Sequence, residues 1–370
     1  MHIVERHLEA ILLDKLTAGR VLALTGPAGV GKTRLLKSIK EKYGDKCVYL
    51  NAAREPEKHR LESLRIVHTI HSPSILMIDE AFRISALDTI VKRIREVSPY
   101  TRFIFAFGSA SQCEHFNDLD GIYNLYPLTE QEYRHFHNNR KKHDILPERL
   151  VYGNYPRLLH LKTRAGKQEY LLKLIDQYRT DYLDVLKLKT QQGKDLQLMR
   201  MLSFLVGQEI FYRELEQKLS LTRKTIEKFI EKLLQMNLVI RLEGFKRNLK
   251  KEVGKHGALY FTDNGIRNAI ISNFNPLRVR DDLDKLWKNY LISERLKHQH
   301  YKQMETRNYF WRTYDQQELD WVEEYPDRLV GYRFTLESSF PRAPHAWRRA
   351  YGDAEFRVIN PDNYRQWIMC

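Results

Sequence analysis

Apolar runs rich in β-branched and aromatic residues recur through the first 110 positions, at 21–25, 47–51, 75–79 and 102–109. Segments with helical periodicity separate them, at 32–41, 57–70 and 85–97. Such alternation predicts an α/β fold in which a parallel sheet carries helices on both faces. Residues 123–128 extend the series as a fifth strand, and 162–193 continue as a polar helical connector. The pattern then changes. Three helical segments (196–206, 212–219, 222–235) precede a strand (238–245), a basic loop (246–257) and a second strand (258–263). That order is the order of a winged helix-turn-helix, with Thr222 as N-cap of the third helix. Beyond it, alternation returns: a helix at 282–297, strands at 309–314, 318–323 and 329–334, a helical stretch at 343–350 and a strand at 355–360.

In a parallel sheet of this kind ligands bind at the carboxyl ends of the strands. The first strand runs directly into Gly26, Pro27, Ala28, Gly29, Val30, Gly31, Lys32 and Thr33, a complete P-loop of the form GxxxxGK[ST] that opens a helix. Its glycines let main-chain N–H groups turn toward phosphate oxygens, and the helix adds its positive dipole end. Lys32 is expected to reach the β- and γ-phosphates of ATP, and the Thr33 hydroxyl to ligate Mg2+. Arg34, next in the helix, is counted with the nucleotide-binding residues.

The strand at 75–79 ends on Asp79 and Glu80, with 47 positions between Lys32 and Asp79. Asp79 is expected to hold the metal and Glu80 to act as general base on the attacking water. An adjacent base favours hydrolysis over phosphoryl transfer to another substrate. At the end of the next strand Ser109 is either a sensor of the γ-phosphate or a turn serine.

Charge changes the picture outside this site. Lys and Arg number 62 against 47 Asp and Glu, a formal +15 with pI near 9.5, which favours a polyanionic partner. Along 222–235, Ile226, Phe229, Ile230 and Leu233 share one face, while Lys224, Lys228 and Lys232 recur every four residues on the other. Lys246, Arg247, Lys250, Lys251 and Lys255 load the following loop. These residues are candidates for DNA contact through phosphates with little base readout; a protein partner is the alternative for the same face. A mean hydropathy of −0.56 and a charged N-terminus point to a soluble, cytoplasmic protein with no membrane partner. Cys47, Cys113 and Cys370 are too far apart for a zinc or disulfide framework, and Cys47 and Cys113 are expected to pack as small apolar residues.

The strings GPAGVGKTRLL, ILMIDE, FAFGSAS, YPLTEQEY, YGNYPRLL, ALYFTDNGIRNA, LWKNYLISERLK and NYFWRTYDQQELDWVEE carry a resemblance over nearly the whole chain. The chain resembles a family of bacterial and archaeal AAA+ ATPases whose C-terminal half carries a domain of unknown function. The resemblance implies a AAA+ core at 1–155, a helical lid and connector at 156–193, a winged helix-turn-helix at 194–275 and a restriction-endonuclease-like fold at 276–370. Pro156 would start the lid, and Arg157 would either couple the lid to the γ-phosphate or be a solvated arginine. Residues 4–6 would flank the adenine. Such ATPases commonly form homo-oligomers in which an arginine of one subunit completes the next subunit's site; Arg93, Arg95 and Arg102 are candidates.

The nuclease likeness places Glu294 and Asp320 at the first two metal-ligand positions. The expected E-x-K triplet falls on Gly331, Tyr332 and Arg333, where glycine cannot ligate and arginine cannot act as a base. The C-terminal domain is therefore expected to be catalytically inactive. Three functions follow in order: a DNA-associated ATP-driven motor or remodeller, a slow nucleotide-dependent switch or scaffold, and an ATP-dependent nuclease.

Overall fold

A computed structural model describes residues 4–63, 74–114, 116–137, 145–180, 193–247, 257–338 and 340–369. The chain divides into two compact units: residues 1–128 with 235–237, and residues 129–234 with 238–370.

In the first unit α1 (His7–Lys15) leads into β1 (Val21–Thr25), then α2 (Lys32–Tyr43), β2 (Cys47–Asn51), α3 (Glu55–Glu62), β3 (Ile75–Asp79), α4 (Leu87–Val97), β4 (Arg102–Ala106) and β5 (Gly121–Asn124). The five strands form one sheet in the order β2-β3-β4-β1-β5, with every pairing parallel. β1 and β3 are buried at every position, as strands covered on both faces must be. Ile78, Phe103, Phe105 and Ile90 belong to the core on one side, and the Phe105 and Phe116 rings meet edge-on at 5.6 Å. Cys113 joins this core, and burial pushes the thiols of Cys47 and Cys113 up to about 11 and about 12.

Two of the element limits that differ from expectation have a local cause in proline. The fifth strand ends at Asn124 instead of continuing to 128, because the run meets Pro127, which has no N–H to give to a ladder. α3 starts at Glu55, two residues early, because Pro56 fits the N–H-free first turn. The remainder of the expected 57–70 helix lies largely outside the described residues.

The second unit begins with α5 (Glu130–Phe136), α6 (Leu146–Tyr152) and α7 (Arg164–Tyr178). Pro156 starts a 3-10 helix, Pro156–His160, and not an α-helix. Next come α8 (Lys194–Phe204), α9 (Tyr212–Leu219), α10 (Arg223–Gln235), β6 (Val239–Gly244), β7 (Ala258–Phe261) and α11 (Asn264–Ile270). The chain closes with α12 (Leu283–Tyr301), β8 (Arg307–Arg312), β9 (Glu318–Glu324), β10 (Leu329–Phe334), α13 (His345–Ala350), β11 (Glu355–Ile359) and α14 (Tyr364–Met369).

β6 and β7 pair antiparallel, and β7 also bridges to Glu209. β6 pairs in parallel with β8, so one six-stranded sheet runs β11-β10-β9-β8-β6-β7 across the boundary expected at 275. The boundary expected at 155 likewise falls inside the second unit. Gly331 lies on β10 where a Cβ would fall against Leu319 and Trp347, so a ligand-bearing side chain there would collide with the core that Trp347, Trp311 and Tyr351 build. Among the described residues no helix is long and apolar enough to cross a membrane.

Candidate nucleotide site and basic surface

The P-loop is built as a tight turn between β1 and α2. Gly26 takes φ +150°, and a Cβ there would fall on the carbonyl oxygen of Leu125, so only glycine fits. Gly31, at φ +102°, then turns the chain into α2. Val30 is fully buried under the loop. Arg6 anchors the turn from below: its guanidinium donates to the Val30 carbonyl at 2.8 Å and to the Tyr126 carbonyl at 2.6 Å. Within the stretch 4–6, expected beside the adenine, the Arg6 side chain holds the loop.

Lys32 folds its ammonium back over the loop, donating to the carbonyls of Gly26 (2.7 Å) and Pro27 (3.2 Å). Burial pulls its pKa below the usual lysine range, and the charges of Glu80 and Asp79 oppose that fall. A buried cation held by main-chain carbonyls is the condition in which an anionic phosphate is the better partner.

Thr33 and Asp79 meet across the sheet end: Thr33 Oγ1 donates to Asp79 Oδ2 at 2.5 Å. Tyr49 Oη donates to the same oxygen at 3.0 Å, and the Glu80 N–H donates to Asp79 Oδ1 at 3.1 Å. Asp79 is fully buried, and these donors give its carboxylate oxygens the partners that burial requires. Nothing in the linear order marks Tyr49 for this role. It sits in β2, beside β3 in the parallel ladder, and that adjacency is decided only when strands pair. Burial, then the Asp79 charge, raises its hydroxyl pKa above the usual tyrosine range.

Glu80 leaves the strand with φ +55° and ψ +38°, a left-handed conformation that costs a non-glycine residue of order 1 kcal/mol or more. The bend turns the chain sharply after Asp79 and leaves Glu80 half-buried. The oxygens of Thr33 and Asp79 form a hard donor set of the type that suits Mg2+, and the buried Lys32 beside a glycine turn suits a triphosphate; both groups fit the residues present.

The strand expected over 102–109 ends at Ala106, and Ser109 lies three residues beyond it in a buried position, with its hydroxyl 2.9 Å from that of Ser111. Arg34 is exposed and pairs with Glu41 at 3.2 Å along α2. Pro156 and Arg157 belong to the second unit, and the Arg157 guanidinium lies over the Tyr170 ring at 5.5 Å. Of the three arginines considered for a neighbouring site, Arg95 is bound to the Gly19 carbonyl (2.9 Å) and to Asp118 (3.3 Å), whereas Arg93 is 60% exposed.

On α10, Ile226, Phe229, Ile230 and Leu233 are buried, and Lys224 and Lys228 are exposed, with Lys232 half-buried. Thr222 Oγ1 accepts from the Thr225 N–H at 3.3 Å, as an N-cap does. The polar face is not purely basic: Glu227 and Glu231 stand exposed among the lysines, and Arg223 pairs with Glu227 at 2.8 Å. Lys246 and Arg247 are exposed, and Arg247 is paired with Glu324. Lys250, Lys251 and Lys255 lie outside the described residues.

Glu294 and Asp320 stand in different networks. Glu294 is held by Lys297 (2.8 Å), Asn154 (3.3 Å) and the Glu130 N–H (2.6 Å). Asp320 is held by Lys288 (2.9 Å), the Phe334 N–H (2.8 Å) and Arg333 (3.6 Å). Among the described residues no three His, Cys, Asp or Glu side chains converge as a metal site.

Three family models match the chain: an AAA domain over residues 18–134, a domain of unknown function (DUF8612) over 143–277, and a domain of unknown function (DUF4143) over 283–367. No curated protein matches. Solved structures similar to this chain include the RuvB Holliday junction branch migration motor of Thermotoga maritima, at 18% identity and TM-score 0.34 over 64% of this chain and 86% of that one. A threonine-to-valine variant of that RuvB matches at 18% and 0.32, and a proline-to-glycine variant at 17% and 0.35, with the same coverage. The chain thus matches an AAA domain in its first third, followed by two domains of unknown function.

Proposed function

We propose that this chain hydrolyses ATP and couples the cycle to DNA, as a homo-oligomeric motor or remodeller. The observation that carries the ATPase part is the 2.5 Å hydrogen bond between Thr33 and Asp79, beside the buried Lys32 on its glycine turn. ATP would be held by the loop amides between Gly26 and Thr33 and by Lys32, which exchanges the carbonyls of Gly26 and Pro27 for phosphate oxygens. Mg2+, when bound at Thr33 and Asp79, supplies positive charge to the phosphate oxygens. Glu80 takes the proton of the attacking water as its oxygen approaches phosphorus. Ser109 polarises the same region from beyond the end of β4, and Arg157 responds to nucleotide from the second unit. Arg93 is the arginine that a neighbouring copy would receive.

The +15 charge and the exposed Lys224, Lys228, Lys246 and Arg247 support DNA as the partner, with α9 and α10 as a helix-turn-helix. Glu227 and Glu231 on the same face reduce its attraction for phosphate and favour weak, sequence-tolerant contact. They also support the second function, a switch that binds a protein partner. We further propose that residues 276–370 bind without cutting, since Lys288 and Arg333 occupy the Asp320 carboxylate that a nuclease would give to a metal.

The deciding experiment is the ATPase rate with and without single-stranded, duplex and four-way junction DNA, read beside the mass in solution. A motor's turnover rises several-fold with DNA and a switch's does not. Plasmid nicking in Mg2+ or Mn2+ that vanishes on Asp320→Ala would reverse the assignment of the last domain.

A further inference from the structure

The second unit holds a cleft of about 530 Å3 between the β10–β11 edge of its sheet and the helices α12 and α14. That volume lies in the range of roughly 300–1,000 Å3 that small-molecule sites occupy. Its floor is rigid and electrically spent. Arg295, buried on α12, forks onto Glu323 at 2.5 and 2.9 Å and donates to the Trp367 carbonyl at 2.6 Å. Glu323 also accepts from Tyr325 (2.6 Å) and Tyr332 (2.9 Å), so its charge is consumed below the cleft.

The walls differ. Among the described residues no Asp or Glu lines the cleft, while Arg328 and Arg357 do. Arg328 is 50% exposed and lies over the Tyr325 ring at 4.3 Å, with Asp327 3.8 Å away. Arg357 is 55% exposed and pairs with Glu355, two residues back on its own strand. Exposed pairs of this kind contribute little, so either guanidinium can turn to a stronger anion without loss to the fold. The open ring of the lining is Phe340 at the rim, 71% exposed although it is a large apolar residue; Tyr325 lies under Arg328, and Trp367 is buried with Arg295 over its ring at 5.1 Å.

Two exposed guanidinium groups, whose acid neighbours Asp327 and Glu355 stand outside the described lining, beside the exposed Phe340 ring suit a ligand that is planar at one end and multiply anionic at the other. We propose that this cleft binds a nucleoside phosphate, its base against the Phe340 ring and its phosphate on Arg328 and Arg357. The ligand is either a free nucleotide or an unpaired nucleotide of a strand. The second source rests on DNA being the partner, and would give the C-terminal domain a separate grip on single-stranded ends or gaps. Stacking on a protein ring and an arginine pair on phosphate are the means by which proteins hold unpaired nucleotides without base selection.

The test uses the full chain carrying Lys32→Ala, so that the P-loop does not contribute nucleotide binding. Fluorescently labelled 5′-phosphorylated thymidine, a ten-residue oligothymidine and a blunt duplex are titrated by anisotropy. Arg328→Glu with Arg357→Glu is expected to weaken the mononucleotide, the oligomer or both by about tenfold or more, and to leave the duplex unchanged. Phe340→Ala, an exposed position with no folding role, is expected to weaken the same probes several-fold. Binding of the mononucleotide assigns a free ligand, and binding of the oligomer alone assigns a strand. The proposal is overturned if neither single-stranded probe binds, if both bind the arginine variant as tightly as the parent, or if the duplex is lost in parallel with them. Loss of duplex binding in a Lys224, Lys228 and Lys232 variant concerns the DNA proposal for α10 and leaves this result intact.

Discussion

The Glu294 carboxylate accepts a 2.6 Å hydrogen bond from the main-chain N–H of Glu130, across 164 residues of chain. Fully buried Arg149 sits between the two acids: it pairs with Glu130, lies 3.5 Å from Glu294 and donates to Asn154 (2.6 Å) and Tyr290 (2.8 Å). Lys297 adds a second buried cation, and Arg365 (3.6 Å) and Arg134 (3.8 Å) reach Glu130 from less buried positions. A carboxylate so placed holds elements together, and it is already committed to the neighbours that a metal would have to displace.

Glu294→Ala therefore takes from Lys297 the carboxylate at 2.8 Å and from Arg149 one of its two acids. Removing one partner from a buried ionic network costs about 3–5 kcal/mol. Denaturant unfolding of the full chain should show that loss, with Glu294→Gln less damaging because it keeps an acceptor for the Glu130 N–H. A variant as stable as the parent would show that this carboxylate does not hold the unit together.

In the nucleotide site, Lys32→Ala and Glu80→Gln should separate binding from chemistry. Lys32→Ala removes the charge that faces the phosphates, and calorimetry should find ATP uptake abolished. Glu80→Gln keeps shape and polarity but cannot take a proton, so ATP binds while turnover falls by roughly 10²–10⁴-fold. Full turnover in that variant would remove Glu80 as the base.

Neutralising Lys224, Lys228 and Lys232 together should weaken DNA binding and flatten its dependence on salt. The log–log slope should fall by up to about 0.9 for each phosphate that the variant no longer neutralises. Lys232 is half-buried and should account for the least. A slope equal to the parent's moves the DNA-binding surface away from α10.

Asp282 sets a pH limit on the second unit. Burial by itself would raise its pKa, but Arg280 at 2.8 Å and Arg267 outweigh it and hold the carboxyl down at about 2. A folded-state pKa below the unfolded value adds stability above the unfolded value, near ~4, that is lost as pH falls through about 2. Asp282→Asn should lose about 2 kcal/mol at neutral pH. The difference between parent and variant should shrink steadily below pH ~4; a gap that stays constant down to pH ~2 would exclude this ion pair as its source.

The residues of the nucleotide site are legible in the linear order because each is local. A strand, a glycine turn and a helix occupy consecutive positions, and four apolar residues running into Asp79 and Glu80 mark a buried strand by composition alone. Periodicity also finds the inward face of α10, since a helix that buries one side repeats every 3.6 residues. α11 escapes it for the converse reason: all seven of its residues are buried, Asn264, Arg267 and Asn268 among them, so it has no polar side to set a period. The Tyr49 hydroxyl on Asp79, the β6–β8 pairing that joins strands about 60 residues apart, and the separation of Glu294 from Asp320 depend on which distant segments become neighbours. Strand pairing and ion-pair choice are settled by packing among residues tens to hundreds of positions apart, and no local pattern encodes them.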